Sequence, residues 1–86
     1  MSRGKAKSDL QRFGEKLRVL RLRENLTLQQ FAESLGYSAH GYLSELEAGK
    51  KLPTVEFVLS VSRIYGVTTD ELLKDEIDLM QKKKGD

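Results

Sequence analysis

Apolar residues return along this chain at helical spacings, in short runs broken by capping and turn residues. Leu10, Phe13, Leu17 and Leu20 stand three, four and three residues apart, which lines one face of a helix. Ser8 and Gln11 have the spacing of a capping box, so this helix is expected to open at Ser8 and to close near Asn25. A second box, Thr27 with Gln30, opens a helix that carries Leu28, Phe31, Ala32 and Leu35 on one face. Gly36 then stands where a left-handed helix end is wanted. A third helix is expected within residues 38–48, with Leu43 and Leu46 inward and Gly49 ending it. Thr54 caps a fourth, whose inner face reads Val55, Val58, Val61, Ser62 and Tyr65 and which closes at Gly66. Thr68 and Glu71 form a further box, leading into Leu72, Leu73, Ile77 and Met80. Almost nothing alternates with the period of a strand, so the fold class is all-α, five short helices in an orthogonal bundle.

Composition narrows the chemistry. Eighty-six residues, 38% of them hydrophobic, support one small core, expected over residues 8–81 between a basic arm at 1–7 and a polar tail at 82–86. There is no cysteine and one histidine, His40, which excludes a disulfide scaffold, a thiolate zinc site, a thiol nucleophile and a multi-histidine metal centre. No metal and no cofactor are expected. The acidic residues fall on helix starts and helix surfaces with no histidine–nucleophile constellation, so an enzyme is not expected either. No apolar run approaches the roughly 18 residues of a membrane span, and no signal-peptide segment follows the basic start. The expectation is a soluble, cytoplasmic domain.

Charge adds a polarity that the net value of +2 conceals. Residues 1–27 hold eight Lys or Arg against three Asp or Glu, a net of +5, whereas residues 28–53 carry −1 and residues 54–86 carry −2. A basic first third suits a polyanion, and it equally suits a solvated basic helix face.

The stretch from Leu28 to Gly49 is two short helices joined at Gly36, with the small Ala32 where the second must approach the first. That is a helix-turn-helix arrangement, whose second helix can lie in the major groove of DNA. A helical hairpin with only a packing role has the same pattern, and spacing leaves both open. The residues themselves go further. Leu26-Thr27, Phe31-Ala32, Leu35-Gly36-Tyr37-Ser38, Leu43 through Lys50, Pro53-Thr54, Tyr65-Gly66-Val67 and Glu71-Leu72 resemble the lambda-repressor-like, Cro-type helix-turn-helix regulators, also called the xenobiotic response element family. The likeness covers residues 13–73, and the chain's size also resembles the controller proteins of restriction–modification systems. Two departures stand out. Leu28 occupies the place after Thr27 where the family has a phosphate-bonding Gln, with Gln29 next to it. The distance from Gly36 to Leu43 is seven residues rather than six, so residues 38–42 contain one extra.

The resemblance implies a five-helix DNA-binding domain and a role for particular residues. The base-reading positions fall on Ala39, His40, Gly41, Ser44 and Glu45. His40 can donate to guanine, Glu45 can accept from cytosine N4, and Ser44 suits either. His40 as a plain solvent-facing turn residue is the competing reading. Phosphate contacts fall on Gln29, Lys50 and Lys51, extended by Arg12 and Lys16 and by the arm residues Arg3, Lys5 and Lys7. Glu47 is matched with Arg21 as an ion pair joining the first and third helices.

A single helix-turn-helix reads few base pairs, so a homodimer on a palindromic operator is expected. Phe57 and Ile64, off the expected inner face of the fourth helix, are assigned to that interface with Ile77 and Met80; ordinary packing of the last helix on its own domain competes. The function expected is sequence-specific binding of double-stranded DNA in transcription regulation, as a repressor, nucleoid-associated or phage-encoded. An antitoxin-like protein-interaction module on the same scaffold is the alternative. The length leaves no room for a sensor, so no small-molecule ligand is expected.

Overall fold

The computed structural model describes residues 10–79, and these form five helices with no strand among them. They are α1 (Phe13–Arg23), α2 (Leu28–Ser34), α3 (Gly41–Glu47), α4 (Val55–Tyr65) and α5 (Thr69–Leu73). Helix α1 packs on α3 and α5, α2 packs on α3, and α4 packs on α5. None of the described helices is long and apolar enough to cross a membrane. The arm at 1–7, Ser8, Met80 and the tail at 82–86 lie outside the described residues.

Local signals set most of the helix ends. Thr27 and Gln30 exchange both bonds of the capping box at α2, and Thr68 and Glu71 do the same at α5. The Thr54 hydroxyl accepts from the Phe57 N–H at the start of α4. Helix α2 closes with the Tyr37 N–H on the Ala32 carbonyl (2.9 Å) and the Gly36 N–H on that of Glu33 (3.1 Å). This Schellman pattern places Gly36 at φ 92°, a region that glycine occupies without steric cost.

Both ends of the helical array depart from expectation. Helix α1 begins at Phe13, and residues 10–12 are not helical, so the start implied by Ser8 and Gln11 is not adopted. The backbone N–H groups of Gln11 and Arg12 donate instead to the carboxylate of Asp75, at 3.0 Å each. A residue 63 positions away thus supplies what a local cap was expected to supply. Helix α5 stops at Leu73 rather than continuing through Ile77, and Lys74 is already extended. Asp75, Glu76 and Asp78 follow, and negative charge beyond a helix C-terminus opposes its dipole. The Lys16 ammonium completes the stop by drawing together the carbonyls of Glu71, Lys74 and Ile77.

Helix α4 is rotated from its expected face. Val55 is 75% exposed, whereas Phe57 is 1% exposed and lies in the core. The two side chains lie roughly 200° apart around a helix. Val58 and Val61 fit either choice, and the larger apolar surface of the phenyl ring decides it. Phe57 meets Phe13, Tyr37 and Tyr42 at ring-centroid distances of 6.5, 6.1 and 5.5 Å. Phe57 therefore belongs to the core and not to an interface.

Candidate nucleic-acid interface

The α2–turn–α3 unit presents a short helix whose start faces solvent. Ala39, His40 and Gly41 are exposed, while Ser44 and Glu45 on the same helix are partly exposed. Leu43 and Leu46, on the opposite side, are fully buried. Helix α3 begins only at Gly41, with Ala39 and His40 ahead of the first helical residue. His40 makes no side-chain cap bond, which leaves its imidazole uncommitted to the helix start.

Three contacts fix this helix on the rest of the molecule. The Arg21 guanidinium grips Glu47 through two bonds, Nε to Oε2 at 2.8 Å and Nη2 to Oε1 at 3.1 Å. Its third donor reaches the Leu26 carbonyl at 3.0 Å. The side chains of this pair are 12% and 8% exposed, so its geometry is held inside the structure and screened little by salt. Gly14 provides the second contact. A Cβ at that position would lie 2.6 Å from the carbonyl oxygens of both Leu46 and Glu47. The third is Tyr42, whose hydroxyl accepts from the Thr54 N–H at 3.2 Å while its ring lies 5.4 Å from that of Tyr37. Burial pushes the Tyr37 phenol above its ordinary pKa, with the neighbouring Tyr42 adding to the shift.

The phosphate-contact residues named from the sequence divide into two groups. Lys50 and Lys51 are exposed in the connection after α3. The Lys50 N–H bonds the Glu45 carbonyl at 2.9 Å and Gly49 has φ 78°, so this connection turns back over the end of α3. Lys16 does not face solvent. It is 2% exposed, and its Nζ donates to the carbonyls of Glu71, Lys74 and Ile77 at 2.6, 2.6 and 2.5 Å. Burial lowers its pKa, and the nearby Arg12 charge lowers it further. Arg12 is also engaged, donating to the Asp78 carboxylate at 2.7 Å and to the Asp75 carbonyl at 2.5 Å. The bond to Asp78 raises the guanidinium pKa. Lys16 serves the segment after α5 rather than an outside ligand, which corrects its assignment to phosphates; Arg12 is tied to the same segment while its side chain stays 38% exposed.

Gln29 braces the turn, its amide donating to the Ser38 carbonyl at 3.0 Å and to Glu33 at 2.9 Å. Arg18, which sequence reasoning left without a role, stands exposed on α1. It shares with Lys51 a groove of about 720 Å³ between α1 and the α3–α4 connection. Only the packing of α1 on α3 brings these two cations to one groove, so periodicity had no means of selecting Arg18. Among the described residues no cluster of His, Cys, Asp or Glu is arranged to hold a metal ion.

The sequence pattern of the family described as "Helix-turn-helix domain" matches residues 12–74, the span that contains all five helices but the last residues of the C-terminal segment. The chain belongs to the helix-turn-helix regulator family. It is 44% identical over 64 residues to the HTH-type transcriptional activator BcrR of Enterococcus faecalis, covering 74% of this chain and 31% of that protein. It is 33% identical over 73 residues to the cryptic phage CTXphi transcriptional repressor RstR of Vibrio cholerae, covering 84% and 65%. Among solved structures, the clp gene regulator ClgR from Corynebacterium glutamicum superposes with a TM-score of 0.62 at 38% identity, covering 71% of this chain and 64% of that one. The chain thus spans less than two thirds of each of these proteins. These relatives are named as regulators, and this family is not one of enzymes.

Proposed function

We propose that this helix-turn-helix chain binds double-stranded DNA and regulates transcription, with α3 in the major groove. The observation that carries the reading is the exposed entry to α3, Ala39, His40 and Gly41, on a helix locked from behind by Arg21–Glu47 and Gly14. A helix with only a packing role needs no such rigid mounting of a solvent-facing edge. His40, Ser44 and Glu45 supply donors and acceptors for base edges, and Lys50 and Lys51 supply the phosphate grip. Gln29 contributes by fixing the turn at Ser38, and Arg18 joins Arg12 in the phosphate set in place of the buried Lys16.

The chain acts as a homodimer on a palindromic operator, since one short recognition helix spans only a few base pairs. The apolar surface that supports dimerisation is not centred on Phe57. Val55, Leu59 and Ile64 on α4 are 75%, 45% and 51% exposed. Val55 and Leu59 border an apolar groove of about 450 Å³ shared with Leu10 and Leu73. Ile77 is half-buried and anchored through its carbonyl to Lys16, so it contributes only an edge.

Selection from a random double-stranded DNA pool tests the reading. A two-fold symmetric site with half-sites about one helical turn apart is expected, and a failure to enrich any sequence would refute it. On that operator, Lys50→Ala is expected to weaken all sequences alike and to reduce the salt dependence of binding by about one phosphate.

A further inference from the structure

Helix α3 carries two carboxylates, and each is met by a cation from another part of the chain. Glu47 turns inward to Arg21. Glu45 lies on the outer side, its Oε1 3.2 Å from Nζ of Lys51, with the two side chains 46% and 56% exposed. The Gly49 turn and the bond from the Lys50 N–H to the Glu45 carbonyl fix the backbone that carries Lys51 against the last turn of α3. Lys51 therefore reaches Glu45 from a constrained position.

That placement bears on base recognition. A bare carboxylate brought into a groove lined by phosphates is repelled. A carboxylate already met by an ammonium enters as a neutral pair, and its second oxygen still accepts from an exocyclic amine. The ammonium has three donors, so one can hold Glu45 while another takes a phosphate. Lys50, one residue earlier, is exposed in the same connection and supplies charge alone.

Resting on the reading of α3 as a DNA-binding helix, we propose that Lys51 is a positioning residue that sets base specificity through Glu45. It orients and neutralises the carboxylate so that a cytosine N4 amine is preferred at one base pair of each half-site. Two adjacent lysines then differ in kind: Lys50 governs affinity alone, and Lys51 governs affinity and discrimination at the position that Glu45 reads.

The test measures binding of the full chain to its selected operator and to every single-base-pair variant of it. Glu45→Gln should flatten the preference at one base pair by roughly tenfold. Lys51→Met should flatten the same base pair, Lys51→Arg should restore it, and the Lys51→Met/Glu45→Gln double variant should lose no more discrimination there than Glu45→Gln alone. Lys50→Met should lower binding to all variants by a common factor. If Lys51→Met also scales every variant equally, Lys51 is a phosphate contact only and the proposal fails. A wild-type chain that enriches no sequence overturns the DNA-binding reading itself, a failure distinct from equal scaling by Lys51→Met on an enriched operator.

Discussion

Gly14 shows how much one absent side chain can decide. The carbonyls of Leu46 and Glu47 occupy the space that its Cβ would need, so Gly14→Ala forces α1 and α3 apart. A destabilisation of about 1–3 kcal/mol is expected in urea titration, because overpacking against backbone has no flexible neighbour to yield. Lys16 is the reverse case, a charge taken inside. Its ammonium donates to three carbonyls where α5 ends, so Lys16→Met removes three charge-assisted hydrogen bonds from a largely buried site. The expected cost is about 2–4 kcal/mol of stability, with faster amide exchange after Leu73 and an unchanged salt dependence of DNA binding. An altered salt slope would return Lys16 to the phosphate set. Neither role was legible from sequence. A glycine inside a helix reads as a mild propensity cost, and a lysine in a basic segment reads as solvated.

At the scale of elements, the Arg21–Glu47 pair joins α1 to α3 across 26 positions of sequence. Glu47→Ala strands a guanidinium at a largely buried site, and removal of one partner of such a pair costs about 3–5 kcal/mol. The melting temperature and the DNA affinity are expected to fall together, since the pair sets the angle at which α3 is presented. An unchanged Tm in calorimetry would count against it. The capping boxes at Thr27 and Thr68 and the Gly36 turn were readable because each is completed within a few residues. Helix α1 and the segment after α5 were misread for the same reason inverted. The start of α1 is capped by Asp75 and the end of α5 is tied by Lys16, partners that no local window contains.

For the whole molecule, the rotation of α4 relocates the surface available to a second copy. Phe57→Asp is expected to unfold the domain, because the charge would enter the aromatic cluster with Phe13, Tyr37 and Tyr42. Leu59→Asp should leave the fold intact and shift sedimentation at tens of micromolar toward the monomer, with a matching loss of operator affinity. A dimer that survives Leu59→Asp would move the interface elsewhere. The basic first third of the chain is likewise redistributed by folding. Arg21 serves Glu47, Arg12 and Lys16 are tied to the C-terminal segment, and Arg18 remains exposed on the groove that Lys51 also lines. By itself the sequence determined the helical period, most of the caps, the turn at Gly36 and the pairing of α2 with α3, since each rests on neighbours within a turn or two. Tertiary structure decided which cations face outward, which face of α4 is buried and where α1 and α5 end. Those outcomes depend on groups far apart in the chain, and they are fixed only when burial makes an unpaired charge or carbonyl more costly than an irregular helix end.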